Sequence, residues 1–169
     1  MADNSLDFCL MNSPLGQIKI VALGDFLTEV DFFTEESPLP EKSEQVTLSP
    51  IIQECRAQLT AYFSGTLKAF DLPLKPAGTA FQKDVWRALQ EIPFGKTISY
   101  LTLSKRLGNV KAIRAVGHTN GQNPLAIIVP CHRVIGSDGS LTGYAGGLWR
   151  KKWLLQHEGV LSQKELFPD

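Results

Sequence analysis

Cys131, His132 and Arg133 stand side by side directly after Pro130, and a carboxylate, Glu158, follows near the end of the chain. A thiol attacks carbon only as its thiolate, so it needs a base to take its proton and positive charge to favour the anion. His132 is the base this run offers and Arg133 the charge. A lone cysteine is more often a small buried hydrophobe than a nucleophile; its neighbours are what point to nucleophilic chemistry. A carboxylate beside a helix end is ordinarily solvated. If Glu158 is buried it needs a partner, and His132 is the natural one, because a carboxylate accepting from one ring nitrogen fixes the tautomer that leaves the other basic. Asn123-Pro124 makes a polar turn ahead of the cysteine. Behind it comes a run dense in glycine, Gly136, Gly139, Gly143, Gly146 and Gly147, with Tyr144 inside it. Such a run can bend closely over a ligand and offer backbone N–H groups and one ring for stacking; a surface hairpin would have the same composition.

The elements that must hold these groups can be read from periodicity. Leu125 to Val129 is a continuous apolar run of the kind that forms a buried strand, and Pro130 ends ladder pairing for want of an N–H. Thr79-Ala80-Phe81-Gln82 is a capping box. It opens a helix whose apolar face is Phe81, Val85, Trp86, Leu89 and Ile92. Ser99 can cap a short helix with Tyr100, Leu103 and Leu107 on one face and Gly108 as its left-handed end. A second helix follows closely, with Ala112, Ala115, Val116 and Thr119 facing inward and Lys111, Arg114 and His118 elsewhere. Two short helices joined this tightly suit a helix-turn-helix, though an ordinary helical hairpin has the same pattern. Trp149 to His157 reads as a last helix with Trp153, Leu154 and His157 inward.

The first part of the chain is different. Ile18, Ile20 and Ala22 alternate on one strand face, and Leu27 to Phe33 returns across the Gly24-Asp25 turn as a hairpin partner. Ser49-Pro50 starts a helix with Ile52, Cys55, Leu59, Tyr62 and Phe63 at helical spacing, which makes Cys55 a core residue. Pro73, Pro76 and Gly78 have the composition of a linker, so the expected domains are 1–78 and 79–169.

Composition narrows the class. With 43% hydrophobic residues in 169 the chain can bury a core. No apolar stretch is long enough to span a bilayer, and the N-terminus lacks a signal-peptide pattern, so no membrane partner is expected and the expected compartment is the cytoplasm. Cys9, Cys55 and Cys131 are three cysteines at wide spacing, and free thiols are the expected state. The net charge of zero conceals an asymmetry: residues 1–78 hold 5 Lys/Arg against 11 Asp/Glu, and residues 79–159 hold 11 against 4. The second half can attract a polyanion, although a basic face is often merely solvated.

The ordered set Ile98-Ser99-Tyr100, Arg114-Ala115-Val116-Gly117, Asn123-Pro124, Pro130-Cys131-His132-Arg133-Val134, Gly143-Tyr144-Ala145-Gly146-Gly147 and Trp153 through Gly159 resembles the O6-alkylguanine-DNA alkyltransferases, also called methylated-DNA–protein-cysteine methyltransferases. It covers nearly all of residues 79–159; the first 78 match only in size and outline. The resemblance implies an α/β (α+β) protein: a small ribonuclease-H-like N-terminal domain, and a mostly helical C-terminal domain with a winged-helix-like helix-turn-helix. It implies direct-reversal repair, in which an alkyl group passes irreversibly from O6-alkylguanine, and from O4-alkylthymine, to Cys131, once per molecule. The partner would be double-stranded DNA carrying alkylated bases, bound at the minor groove with the damaged nucleotide flipped out. No cofactor and no obligate protein partner are implied, and the protein would associate with the nucleoid when bound.

By the same resemblance His132 withdraws the Cys131 proton through a bridging water, Glu158 orients the imidazole, and Asn123 braces the cysteine turn. Arg114 fills the vacated stack, Tyr100 promotes rotation and serves as a proton source, and Ala115 and Gly117 keep the recognition helix narrow. Tyr144, Ala145, Gly146, Val134 and Ala126 would line the pocket, with a backbone N–H near Ala145 facing O6. Phosphate contacts from Lys96, Lys105, Arg106 and Lys111 follow from charge and position. Some family members hold zinc in the first domain, but residues 1–78 contain two cysteines and no histidine, so no metal is expected. Ala126 and Ile113 depart from the sizes common in relatives, and a small Ala126 would widen the pocket toward larger adducts. Three other readings compete: a non-enzymatic lesion sensor, which carries another residue at the cysteine position; a Cys-His-Glu hydrolase, which has no role for Arg114; and a plain DNA-binding regulator.

Overall fold

The computed structural model describes residues 5–40 and 47–161. The chain divides into two compact units: residues up to 77 together with 124–126, and residues 78–123 together with those from 127 onward. The C-terminal residues 162–169 of the expected second domain lie outside the described residues.

In the first unit, strands β1 (Leu6–Met11), β2 (Ile18–Leu23) and β3 (Phe26–Phe32) form an antiparallel sheet in that order. The expected hairpin is present, with Ile18 opposite Phe32 and Ile20 opposite Val30. β1 was not legible in the sequence; it pairs Cys9 with Ile20 and Met11 with Ile18. Ile18, Ile20, Ala22, Leu27 and Val30 are buried. Helix α1 (Pro50–Phe63) supplies Ile52, Cys55, Leu59 and Tyr62, all fully buried. Proline at its first position costs no helical bond, because that N–H has no intrahelical partner anyway. The expected cap differs in detail. The Ser49 side chain makes no capping bond, while its N–H donates to Asp7 Oδ2 at 2.7 Å, which ties β1 to the helix start. Burial pushes the Cys55 thiol up to about 12, with Cys9 adding to the effect, so Cys55 is an inert core thiol at neutral pH.

The apolar run 125–129 does not form the strand expected of it. Only Leu125 pairs, beside Val30, with Ala126 N–H donating to the Val30 carbonyl at 2.8 Å. Ile127 then takes a φ of +72°, a left-handed conformation unfavourable for a β-branched residue. The run is a buried turn because hydrophobicity demands burial but does not choose extended backbone.

The second unit begins with helix α2 (Ala80–Leu89), whose Thr79–Gln82 capping box is complete in both directions. α2 stops at Leu89 and Ile92 is buried beyond it. Strand β4 (Ile98–Ser99) pairs in parallel with β5 (Val134–Ile135). Ser99 then caps helix α3 (Tyr100–Arg106) by accepting from Thr102 N–H at 3.0 Å. Gly108, at φ +77°, turns the chain out of it. A 3₁₀ turn over Val110–Ala112 precedes helix α4 (Ile113–Gly121). The inner face of α4 is rotated from that expected: Val116, Thr119 and Asn120 are buried and Ala115 is exposed. The 3₁₀ turn shifts the helical phase, and Trp86 Nε1 fixes it by donating to the Thr119 carbonyl at 3.0 Å. Helix α5 (Leu148–His157) closes the unit.

Candidate active site

Cys131, His132 and Arg133 form one 3₁₀ turn and are all buried, with Cys131 6% exposed. The Cys131 N–H donates back to the Val129 carbonyl at 2.8 Å. Asn123 Nδ2 donates to the same carbonyl at 2.7 Å, which places Asn123 as a brace on the turn that presents the thiol. Such a bond is worth about 1 kcal/mol net, and without it the carbonyl would keep only the Cys131 N–H.

Glu158 is buried, with its side chain fully enclosed. His132 Nε2 donates to Glu158 Oε2 at 2.6 Å, the tautomer being assigned from the carboxylate partner. Nδ1 is then the basic nitrogen; it is buried and has no hydrogen-bond partner among the described residues. Arg133 adds a fork on the same carboxylate, Nε to Oε1 at 2.7 Å and Nη2 to Oε2 at 3.2 Å. Its Nη1 donates to the Ile92 carbonyl at 2.6 Å. The sequence assigned Arg133 to the thiol; the structure places it on Glu158. Burial drives the His132 pKa below its ordinary value. The Glu158 contact opposes that shift, and Arg133 and Lys151 add to it. His132 is therefore neutral, and able to accept a proton, throughout the physiological range.

Tyr100 opens α3 and its hydroxyl donates to the Thr142 carbonyl at 2.9 Å. Burial, with Cys131 nearby, raises its pKa, so it keeps its proton at neutral pH. Two cavities meet at its ring. One, of about 430 Å³, is lined by Tyr100, Ile113, Arg114, Gly117, Thr142 and Gly143. The other, of about 340 Å³, shares Tyr100, Gly117 and Gly143 and adds His118, Asn120, Tyr144 and Ala145 among its walls. A Cβ on Gly117 would lie 3.7 Å from the Tyr100 ring, an ordinary contact, so packing against Tyr100 does not by itself require glycine there. Asn120, which the sequence reading did not single out, links the second cavity to the nucleophile: Nδ2 lies 3.4 Å from the Cys131 carbonyl.

The remaining candidates fall apart from this set. Ala126 belongs to the first unit, and neither it nor Val134 nor Gly146 lines either cavity. Val134 is fully buried in the β4–β5 pair, and the Gly146 carbonyl accepts from Arg150 Nη1 at 2.7 Å. Lys96, Lys105, Arg106, Lys111 and Ala115 are exposed and line neither cavity, whereas Arg114, also exposed, lines the first.

Lys151 is a second buried polar side chain beside the site that sequence reasoning missed. A lysine on a surface helix reads as solvated, yet this one is fully buried. Its Nζ donates to the carbonyls of Val134 at 2.6 Å, Thr142 at 3.1 Å and Gly143 at 3.3 Å. It thus anchors the glycine-rich loop to β5 and shares the Thr142 carbonyl with Tyr100. Burial lowers its pKa to about 8. An unfolded lysine titrates near 10.4, so between about pH 8 and 10.4 the unfolded chain binds more protons and this residue makes stability rise with pH. We expect that rise in urea midpoints of the wild-type protein and its loss in Lys151→Met, which should also be less stable by about 2–3 kcal/mol through the stranded carbonyls.

Residues 80–160 match the family model for the 6-O-methylguanine DNA methyltransferase DNA-binding domain, and residues 8–76 match that for the ribonuclease-like domain of the same proteins. A methylated-DNA–protein-cysteine methyltransferase of Methanosarcina acetivorans is 47% identical over 90% of this chain and 97% of its own. One from Haemophilus influenzae is 45% identical over 88% and 83%. The crystal structure of Mycobacterium tuberculosis O6-methylguanine methyltransferase superposes with a TM-score of 0.80 at 42% identity, covering 96% of this chain and 98% of that one. The structure of Mycobacterium tuberculosis OGT in complex with DNA gives 0.79 at 43%, covering 89% and 91%. With both domain models matched in order and identity near one half along almost the whole length, the chain belongs to the methylated-DNA–protein-cysteine methyltransferase family.

Proposed function

We propose that this protein repairs alkylated DNA by taking the alkyl group of O6-alkylguanine onto Cys131, one group per molecule. The observation that carries the reading is a buried thiol adjoining a neutral histidine whose tautomer is fixed by a buried carboxylate. Through a bridging water, His132 Nδ1 accepts the thiol proton, and the imidazolium that results is stabilised by Glu158. The thiolate attacks the alkyl carbon in line, the S–C bond forms as the C–O6 bond breaks, and the electron pair leaves with guanine. Tyr100, kept protonated by burial, is the proton source for the departing ring. A base cannot react inside the duplex. We therefore assign α3 and α4 the role of a helix-turn-helix in the minor groove, with Arg114 beside the opening to hold the vacated stack. O4-alkylthymine is included in the proposed range. The protein works in the cytoplasm, on nucleoid DNA; no helix among the described residues is long and apolar enough to cross a membrane.

The test is the intact mass of the protein after incubation with a duplex bearing one O6-methylguanine, followed by peptide mapping. One methylene on Cys131, saturating at one equivalent, supports the proposal; a bound duplex with no mass gain leaves a lesion sensor, and repeated turnover on an ester leaves a hydrolase. Arg114→Ala should slow transfer about 10-fold or more from duplex while leaving transfer from the free base O6-benzylguanine unchanged, since only the duplex must be opened.

A further inference from the structure

We infer that His118 contacts a backbone phosphate of the nucleotide that enters the second cavity, and that this contact makes DNA binding pH-dependent. The inference rests on the proposed reading of the chain as a DNA-repair alkyltransferase. The two cavities share Tyr100, Gly117 and Gly143, so they are two arms of one cleft with the Tyr100 ring between them. Arg114 lines the first arm, and His118, one turn further along α4, lines the second; both side chains are exposed. Lys111, on the 3₁₀ turn that precedes α4, is exposed as well.

A nucleotide brings a phosphate with its base. In the second arm the only wall side chain that can carry positive charge is His118; the others are tyrosines, carboxamides, glycines and an alanine. The arm is also built on the last turn of α4, where outward carbonyls repel an anion and favour an imidazolium. A phosphate seated there without His118 would meet the negative end of a helix. None of the groups facing His118 is acidic. Tyr100 from α3 and Tyr144 from the glycine-rich loop are neutral phenols, Arg114 is a fixed cation on the preceding turn, and Gln122 is an amide held by Gln82 Nε2 at 3.0 Å. No carboxylate lines the arm.

The experiment measures affinity for an O6-methylguanine duplex with Cys131→Ser protein, in which no transfer intervenes, across a salt series at about pH 5.5 and about pH 8. Binding should tighten about fivefold at the lower pH, and the slope of log affinity on log salt should steepen by about one. His118→Gln in the same background should lose both responses, and His118→Lys, charged at either pH, should bind at pH 8 as the parent does at pH 5.5. A parent without the pH response, or His118→Gln retaining it, overturns the inference. If the His118 response is present but the wild-type protein never gains a methyl group, the alkyl-transfer reading fails and the phosphate contact stands.

Discussion

Replacing Cys131 by serine is expected to abolish methyl uptake from an O6-methylguanine duplex while leaving the fold and duplex binding in place. Serine differs from cysteine by one atom, so a site where the side chain is 6% exposed loses little packing. What is lost is the nucleophile: a hydroxyl beside His132 is a far weaker acid and a harder nucleophile than a thiol. Transfer of tritium from methyl-labelled DNA should fall to background with a thermal midpoint within a few degrees of wild type. Residual transfer to another residue, Cys9 being the half-buried alternative, would reassign the acceptor.

The second large effect is expected at the His132–Glu158–Arg133 network. His132→Ala should slow transfer by about 10²- to 10⁴-fold, the range for loss of a positioned general base. Glu158→Ala should do the same and also destabilise the protein by about 3–5 kcal/mol, because it strands the buried Arg133 guanidinium without its carboxylate. Glu158→Gln keeps the shape and one acceptor, so it separates the two effects: stability recovers in part, and rate less. The pH profile carries a further sign. Burial holds the His132 pKa below the ordinary imidazole value, so the wild-type rate should stay level down to about pH 6.5 and fall only below it. In that window the unfolded chain binds the extra proton, so stability also declines as pH falls from about 6.5. Stopped-flow transfer rates and urea midpoints at matched pH check both.

The motif run from Asn123 to Glu158 was legible because its chemistry depends on residue type, and the structure brings Cys131, His132, Glu158, Tyr100 and Asn123 into one unit. What stayed hidden depends on burial against distant chain. Lys151 has a charge that predicts solvent, and three carbonyls from two other segments enclose it. Asn120 sits on a helix turn that reads as polar surface, and only the rotated phase of α4 points it at the Cys131 carbonyl. Arg133 was assigned to the thiol because it lies two residues from Cys131 in sequence, but its long side chain carries the guanidinium to Glu158 instead. The strand expected over 125–129 failed for a related reason. An apolar run specifies burial, whereas direction is set by its hydrogen-bond partners, and after Ala126 the ladder with Val30 ends. In the first unit β1 was missed because Leu6–Met11 is nearly unbroken in apolar character and only pairing with β2 gives it register.

The near-complete enclosure of Cys131 bears on which poisons could reach it. Small electrophiles in the cell sample thiols by collision, and the half-buried Cys9 is more accessible to them than Cys131. The reactive sulfur is thus screened from adventitious modification, and by the proposed function it answers to the alkyl group that a flipped base brings to it. A useful inhibitor would therefore be a base-shaped alkyl donor rather than a general thiol reagent.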